Sequence, residues 1–203
     1  MNAPSARALA MIEQFEIGDS YSPAPCWPGG DSGITIGVGY DLGQVSALRV
    51  GIDWSALPDG VVTRLMSYAG TSGAAAQRLL AACQDIIVPE VVALQVFNTI
   101  NIPRACVQTE AAFLNCDLLS GDSFGALLSL VFNRGASMTD PPGDPGRRLE
   151  MRQIRDAMAA RDFAAVPDFI RAMKRLWPGT GLVGRRDAEA DLFAAGLQTN
   201  LTT

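Results

Sequence analysis

The chain has 203 residues, of which 48% are hydrophobic and 18% are charged, and its formal net charge is −5 at pH 7. This length fits one domain with two lobes, and this composition predicts a globular protein rather than a disordered one. We expect no nucleic-acid partner, because proteins that bind nucleic acids usually carry a basic domain. We also expect no membrane insertion, because no stretch supplies the roughly 20 apolar residues of a membrane-spanning helix.

The basic side chains are concentrated in one part of this acidic chain. Residues 134–186 carry 11 of the 16 basic residues, whereas residues 1–133 carry 12 of the 21 acidic ones. A basic segment of this kind faces either an anionic polymer or the solvent along a helix surface, and the sequence leaves both interpretations open.

Histidine is absent from the sequence. Its absence removes Ser-His-Asp and Cys-His nucleophilic catalysis together with zinc sites that use imidazole ligands. The cysteines, at positions 26, 83, 106 and 116, form no C-x-x-C pair, so we predict no metal site and no other cofactor. We predict that these cysteines are buried thiols, and a Cys106–Cys116 disulfide remains the alternative. General acid–base chemistry would then depend mainly on Asp, Glu, Lys and Tyr side chains.

The N-terminal part of the chain predicts one helix and one strand. Apolar residues recur every three positions in residues 6–17, which predicts a helix with Glu16 near its end. Residues 19–33 are rich in proline and glycine and are therefore predicted to be irregular. In residues 34–40 β-forming residues alternate with glycine, a pattern typical of a short curved strand.

The rest of the chain is predicted to be helical. The segment 124–133 is almost wholly apolar, which predicts a central buried helix that ends at Gly135 in a left-handed conformation. The predicted class is therefore α+β, with a small β-hairpin lobe over about 19–58 and a helical lobe over about 59–197 plus the first helix. The predicted helices of the larger lobe cover residues 61–69, 73–84, 89–99, 110–119, 124–133, 148–159, 163–176 and 185–197.

The glycine-rich stretch at residues 29–43, GGDSGITIGVGYDLG, allows two hypotheses. A dinucleotide-binding loop is excluded because the spacing from Gly37 to Gly43 is one residue too wide, and a P-loop is excluded because no G-K-[ST] sequence occurs. A hairpin that presents polar side chains remains. Alternation along a strand would place Thr35, Gly37, Gly39 and Asp41 on one face, as a bed for a flat polar substrate. In the alternative interpretation, the glycines only bend the chain and Asp41 caps a turn.

Three segments in fixed order resemble a known enzyme family. They are Phe15-Glu16 followed by T-I-G-V-G at 35–39, the helix ALLSLVFNRG at 126–135, and the run from Trp177 to Phe193 that contains L-V-G-R-R-D-A-E-A-D-L-F. Together they resemble the phage-type lysozymes of glycoside hydrolase family 24, and the stretch GITIGVGYDLG is most similar to the pesticin-like members of that family.

The resemblance implies a single lysozyme-like catalytic domain over residues 1–203, with its active-site cleft between the two lobes. It also implies a muramidase that cleaves the β-1,4 bond between N-acetylmuramic acid and N-acetylglucosamine. Glu16 would be the general acid, with Glu13 as its rival on the same helix face. Thr35 would position the attacking water, and Asp41 would be the second carboxylate.

The resemblance leaves other site residues open. Asp31 is the alternative second carboxylate, because the position that carries an aspartate in most of the family is Gly29 here. Tyr40 stands where the family usually has a histidine, and it is a candidate substrate contact together with Gly37, Gly39 and Asn133. The later matched residues are expected to be structural, with Arg185 and Glu189 spaced for an ion pair one helical turn apart.

Two alternative functions remain beside hydrolysis. A lytic transglycosylase would use one acidic residue and form an anhydro sugar without water, and a non-enzymatic module would bind peptidoglycan or serve structurally on a lysozyme fold. The expected partner is bacterial peptidoglycan, with an immunity or inhibitor protein as a further candidate, and the expected state is a monomer. No signal-peptide apolar core is visible. We therefore expect synthesis in the cytoplasm and delivery to the cell wall by a holin, a bacteriocin-type or a secretion-system route.

Overall fold

The computed structural model describes residues 2–18 and 20–199 of the chain. It is mainly helical with one two-stranded antiparallel sheet, which confirms the predicted α+β class. The chain forms two compact units: the hairpin unit is Glu16–Pro103, and the helical unit combines the residues up to Phe15 with those from Arg104 onward. The predicted lobe boundary near residue 58 therefore differs from the division at residue 103. None of the described helices is long and apolar enough to cross a membrane.

The hairpin unit contains the predicted β-hairpin, but the turn of this hairpin lies inside the segment that was predicted to be one strand. The single strand over 34–40 is wrong, because Gly37 and Gly39 have positive φ angles of 56° and 67° and reverse the chain between them. Thr35 consequently pairs with Asp41, and Ile36 pairs with Tyr40. The elements up to residue 96 are α1 (Ala6–Ile17), β1 (Thr35–Ile36), β2 (Tyr40–Asp41), α2 (Ala47–Asp53), α3 (Asp59–Tyr68), α4 (Gly73–Leu79) and α5 (Glu90–Val96), with 3₁₀ turns at Leu42–Gln44 and Leu80–Ala82.

The core of the hairpin unit is built around Trp54, which is fully buried. The ring of Tyr40 packs edge-on against the Trp54 ring with 5.3 Å between the ring centroids. The Tyr40 hydroxyl donates a 2.7 Å hydrogen bond to the buried carboxylate of Asp53, which also pairs with Arg49 at 2.9 Å. These contacts fix the second strand against α2, a helix that the weak pattern of residues 44–54 did not predict.

Residues 90–112 form a nearly continuous helical segment, of which the sequence predicted the first part as a helix over 89–99 but not the continuation from residue 100. A π-helical turn at Phe97–Asn101 joins α5 to the next helix, which contains Pro103 in its first turn. The irregular turn accommodates a proline that has no N–H to donate. The helix predicted over 110–119 has the wrong bounds, because α6 ends at Ala112 and only a 3₁₀ turn at Cys116–Leu118 follows it. The remaining elements are α6 (Ile102–Ala112), α7 (Gly121–Arg134), α8 (Leu149–Ala160), α9 (Val166–Ala172) and α10 (Leu182–Thr199), with 3₁₀ turns at Cys116–Leu118, Phe163–Ala165 and Met173–Leu176.

The centre of the helical unit is α7, whose residues 123–131 are all buried. The Ser120 side chain caps its N-terminus by accepting a hydrogen bond from the N–H of Ser123, and Gly135 follows its last residue with a positive φ of 72°. Helix α10 packs against α7. The close approach requires Gly196, because a Cβ there would lie 2.3 Å from the Ser123 hydroxyl. The prediction of a buried central helix is confirmed, and Gly135 has the expected positive φ, but its ψ of 165° differs from that of the predicted left-handed conformation.

A charged network lies inside the helical unit. Arg185, Arg186 and Glu189 are at most 3% exposed. Both arginines approach the Glu189 carboxylate, at 3.1 and 3.0 Å, and the Ser129 hydroxyl donates to it at 2.6 Å. The pair of Arg185 and Glu189 expected from the sequence is therefore present, and it is buried rather than exposed.

All four cysteines are free thiols, so the alternative of a Cys106–Cys116 disulfide is wrong. Three of them are buried as predicted, whereas Cys26 is exposed.

Candidate active site

A cavity of about 270 Å³ lies within the hairpin unit. Its walls come from the end of α1, from the irregular segment that follows, and from the hairpin loop. The cavity brings together four of the residues predicted from the sequence, namely Glu16, Thr35, Gly37 and Gly39. The other lining residues are Ile17, Ser20, Tyr21, Ser22, Ala24, Cys26 and Val38.

Glu16 supplies the carboxylate of this cavity. It is the penultimate residue of α1, which ends at Ile17, and the next residue, Gly18, has a positive φ of 67°. Glycine takes that conformation with little cost, so the chain can turn away directly after the glutamate. Glu13, the rival predicted on the same helix, does not line the cavity.

The segment from residue 20 to 26 forms one wall of the cavity and is tied to the rest of the hairpin unit. The Tyr21 hydroxyl donates to the Val88 carbonyl at 3.0 Å, and the Val88 N–H donates to the Pro23 carbonyl at 3.0 Å. The side chain of Gln84 donates to the Pro25 carbonyl at 2.7 Å. Burial, followed by the charge of Glu90, raises the pKa of Tyr21 to about 12. Its phenol therefore stays a hydrogen-bond donor at neutral pH.

Cys26, Thr35 and Asp41 form a row across adjacent extended segments. Cys26 and Thr35 exchange both backbone hydrogen bonds, at 2.9 and 2.8 Å, and Thr35 is the register partner of Asp41. Directly opposed residues of antiparallel segments project their side chains to the same face. Cys26 and Thr35 line the cavity, whereas Asp41 does not. Cys26 was not predicted as a site residue, because nothing in the sequence around it indicates its pairing with Thr35.

Asp41 holds the base of the hairpin together. Its Oδ1 accepts hydrogen bonds from the N–H groups of Gly33 at 3.0 Å and Gly43 at 2.8 Å. The backbones of these two glycines are in close contact, since a Cβ on Gly33 would lie 2.3 Å from the nitrogen of Gly43. This oxygen therefore caps the turn, which is the alternative role that the sequence left open for Asp41.

Three other predicted residues are not among those that line the cavity. Asp31 is exposed in the turn that the hydrogen bond from Ser32 N–H to Gly29 carbonyl closes. Tyr40 is 3% exposed and its hydroxyl is bonded to Asp53, so it does not present a surface to a substrate. Asn133 belongs to the helical unit, where its side chain accepts a hydrogen bond from Arg186 at 3.0 Å. The candidate substrate contacts among these predictions are thus Gly37 and Gly39.

The comparison with family models finds no match for this chain, and the comparison with characterised proteins finds no significant one. Among the described residues, no cluster of acidic and cysteine side chains has the arrangement of a metal site.

Proposed function

We propose that this chain is a lysozyme-like muramidase that cleaves the β-1,4 bond between N-acetylmuramic acid and N-acetylglucosamine in bacterial peptidoglycan. One observation carries the proposal: Glu16 at the end of α1 and Thr35 of the glycine-rich hairpin line the same cavity. The three segments that resemble phage-type lysozymes include both residues. The absence of histidine in the sequence agrees with an acid–base mechanism that uses carboxylates.

In the proposed mechanism, Glu16 donates a proton to the leaving glycosidic oxygen. The hydroxyl of Thr35 orients the water that attacks the anomeric carbon, and Asp41, its partner across the hairpin, is the second carboxylate. Gly37 and Gly39 leave one wall without side chains, which lets a sugar ring approach the backbone. Ser20, Tyr21 and Ser22 also line the cavity and carry hydroxyl groups that could form hydrogen bonds with the sugar.

A second candidate is a lytic transglycosylase, and the position of Asp41 favours it. One oxygen of Asp41 already accepts two backbone hydrogen bonds, and the residue is absent from the lining of the cavity. Glu16 would then be the only carboxylate that acts. It would protonate the leaving oxygen and afterwards take the proton of the muramic acid C6 hydroxyl as that oxygen closes the anhydro ring.

Mass spectrometry of the fragments released from purified peptidoglycan tests both candidates. Hydrolysis gives reducing sugars that are heavier than the anhydro products by one water molecule. We expect the hydrolysed products from the wild type, release reduced by at least about 100-fold in Glu16→Gln, and nearly full release in the control Glu13→Gln. Anhydro products would replace the muramidase by the transglycosylase. A wild type that binds peptidoglycan and releases nothing would overturn both and leave a binding module.

A further inference from the structure

A second cavity, of about 260 Å³, lies within the helical unit. We call it the arginine cavity, after the three arginines among its lining residues Asn133, Arg134, Arg147, Arg148, Trp177 and Leu182. Arg134 is the last residue of α7, and Arg147 and Arg148 directly precede α8. Asp140 fixes the connecting segment, because its carboxylate accepts hydrogen bonds from the N–H groups of Gly146 and Arg148, at 3.0 and 2.6 Å.

Three guanidinium groups surround the Trp177 ring at the edge of this cavity. The central carbons of Arg134, Arg147 and Arg186 lie 4.8, 5.1 and 5.7 Å from the ring centroid. An aromatic face attracts a cation weakly and carries no net charge. The ring therefore orients these groups without neutralising them.

Arg134 lacks a negatively charged partner. It is only 9% exposed, and two of its guanidinium nitrogens, Nε and Nη1, have no hydrogen-bond acceptor among the described residues. Its remaining bond goes to the carbonyl of Arg147 at 2.7 Å. Burial, followed by the charges of Arg148, Arg186 and Arg147, lowers the pKa of Arg134 to about 10. A buried, unpaired cation among like charges is unfavourable unless an anion joins it.

Arg148 has the same deficiency, and the remaining cations are only partly compensated. Arg148 donates to the carbonyl of Arg134 at 2.7 Å, and no described carboxylate lies within ion-pair distance of either residue. Arg147 lies 3.7 Å from Asp144, and Arg186 shares Glu189 with Arg185. The charges of Glu150 and Asp140 act against the lowered pKa values of Arg134 and Arg148, but Glu150 is paired with Arg175 and Asp140 with Arg152. The arginines in and around the arginine cavity therefore outnumber the nearby carboxylates.

We propose that the arginine cavity binds a phosphate group. A phosphate carries up to two negative charges on several oxygens, so it can accept from guanidinium groups that approach from different directions, which a single carboxylate cannot do as well. The volume of the arginine cavity, about 260 Å³, is several times the roughly 30 Å³ that one water molecule occupies in the liquid. A phosphate group therefore fits in it together with water. The phosphate is either a free one or one carried by an anionic polymer, and both sources present the same chemistry.

Thermal unfolding of the full chain tests the site independently of any glycosidase activity. Inorganic phosphate is titrated against potassium chloride at equal ionic strength, and a short glycerol-phosphate oligomer is titrated in parallel. We expect the unfolding midpoint of the wild type to rise with phosphate, because a ligand that binds only the folded state stabilises it. A lower half-saturating concentration for inorganic phosphate would identify free phosphate as the ligand. A lower one for the oligomer would identify phosphate carried by a polymer.

The variants separate a site from a general salt effect. Arg147→Gln should raise the half-saturating phosphate concentration about ten- to a hundredfold, the loss expected for a hydrogen bond to a charged group. Arg134→Lys keeps the charge, loses the planar fork and should weaken binding as well. The control is Arg155→Gln, an exposed arginine of α8 that pairs with Asp156, and it should respond like the wild type. Equal responses of all four proteins, or no rise beyond that in chloride, would overturn the proposal.

Discussion

Thr35 lies directly opposite Asp41 across the hairpin. The backbone N–H and carbonyl of Thr35 are bonded to Cys26 on its other side, so its pair with Asp41 is of the kind in which the side chains approach closely. Asp41 is thus next to a cavity-lining hydroxyl and is also bonded to Gly33 and Gly43. The structural and the chemical role of this carboxylate can be separated by two substitutions.

We predict that Asp41→Ala and Asp41→Asn differ in stability. Alanine leaves two backbone N–H groups without an acceptor, which should lower the free energy of unfolding by about 2–4 kcal/mol. Asparagine retains an oxygen that can accept both bonds, so its loss should be about 1 kcal/mol. Urea unfolding of both variants measures the difference.

The activity of Asp41→Asn then decides the role of the carboxylate. If Asp41 is the second carboxylate of a muramidase, this folded variant releases almost no soluble fragments from peptidoglycan. Asp31→Asn, at an exposed turn, should retain nearly full activity and is the control. Retained activity in Asp41→Asn would contradict the two-carboxylate mechanism.

Gly37 is required by a contact as well as by its backbone conformation. Its φ is +56°, and a Cβ there would lie 2.6 Å from the ring of Trp54. We predict that Gly37→Ala costs about 1–2 kcal/mol for the left-handed conformation and about 1–3 kcal/mol more for the clash. Gly30→Ala is a matched control, because its φ is +57° and nothing lies within 4 Å of the added atom. Equal unfolding free energies of the two variants would show that Trp54 moves aside at no cost.

The parts of the fold that depend on local sequence were predicted well. The helix predicted over 6–17 is α1, and the one predicted over 124–133 forms the body of α7, because each has a continuous periodic or apolar pattern and a glycine at its end. The hairpin itself was predicted, but its turn was mistaken for part of a strand, since alternating glycines fit a curved strand and also fit the turn that they form here. The gap predicted between the helices over 89–99 and 110–119 was wrong, because a π-helical turn carries the helical segment up to Pro103.

The parts of the candidate site that depend on long-range contacts could not be predicted. The wall that contains Tyr21 and Cys26 is positioned by bonds to Val88 and Gln84, more than fifty residues away. Likewise, the basic segment gave two open interpretations, because sequence does not show which arginines have carboxylate partners. The structure pairs Arg152 with Asp140 and leaves Arg134 without one.

The buried charged network of α10 predicts that replacing one carboxylate by an uncharged amide lowers the free energy of unfolding strongly. Glu189 is fully buried between Arg185 and Arg186, so Glu189→Gln would remove the counter-charge of the fully buried Arg186 guanidinium and break the ion pair with Arg185. We expect a loss of about 3–5 kcal/mol in the free energy of unfolding. The control is Asp191→Asn on the same helix, whose exposed pair with Arg171 should contribute at most about 1 kcal/mol. A loss in Glu189→Gln no larger than that of the control would mean that water reaches the network.

The carboxylate of Asp140 predicts that the segment joining α7 to α8 loses stability in acid. Hydrogen bonds from Arg152, Gly146 and Arg148 lower the pKa of Asp140 to about 2. The folded state therefore binds its proton less readily than the unfolded chain, so the stabilisation is present above about pH 4 and is lost as the pH falls towards 2. We expect the stability advantage of the wild type over Asp140→Asn at pH 7 to shrink across that range in unfolding experiments. A constant stability advantage of the wild type from pH 7 to pH 2 would contradict the lowered pKa of Asp140.

Cys26 allows the cavity to be located chemically. It is the exposed one of the four thiols, whereas burial raises the pKa of the Cys116 thiol to about 12. Because the thiolate is the reactive form, a thiol reagent at mildly alkaline pH should modify Cys26 first. Partial burial also raises the pKa of the Cys26 thiol, so the rate of modification should increase with pH. The attached group would occupy the cavity that Glu16 and Thr35 share, and peptidoglycan cleavage should stop. Cys26→Ser should stay active in the presence of the reagent. Full activity of the modified wild type would mean that peptidoglycan is cleaved at a site other than this cavity.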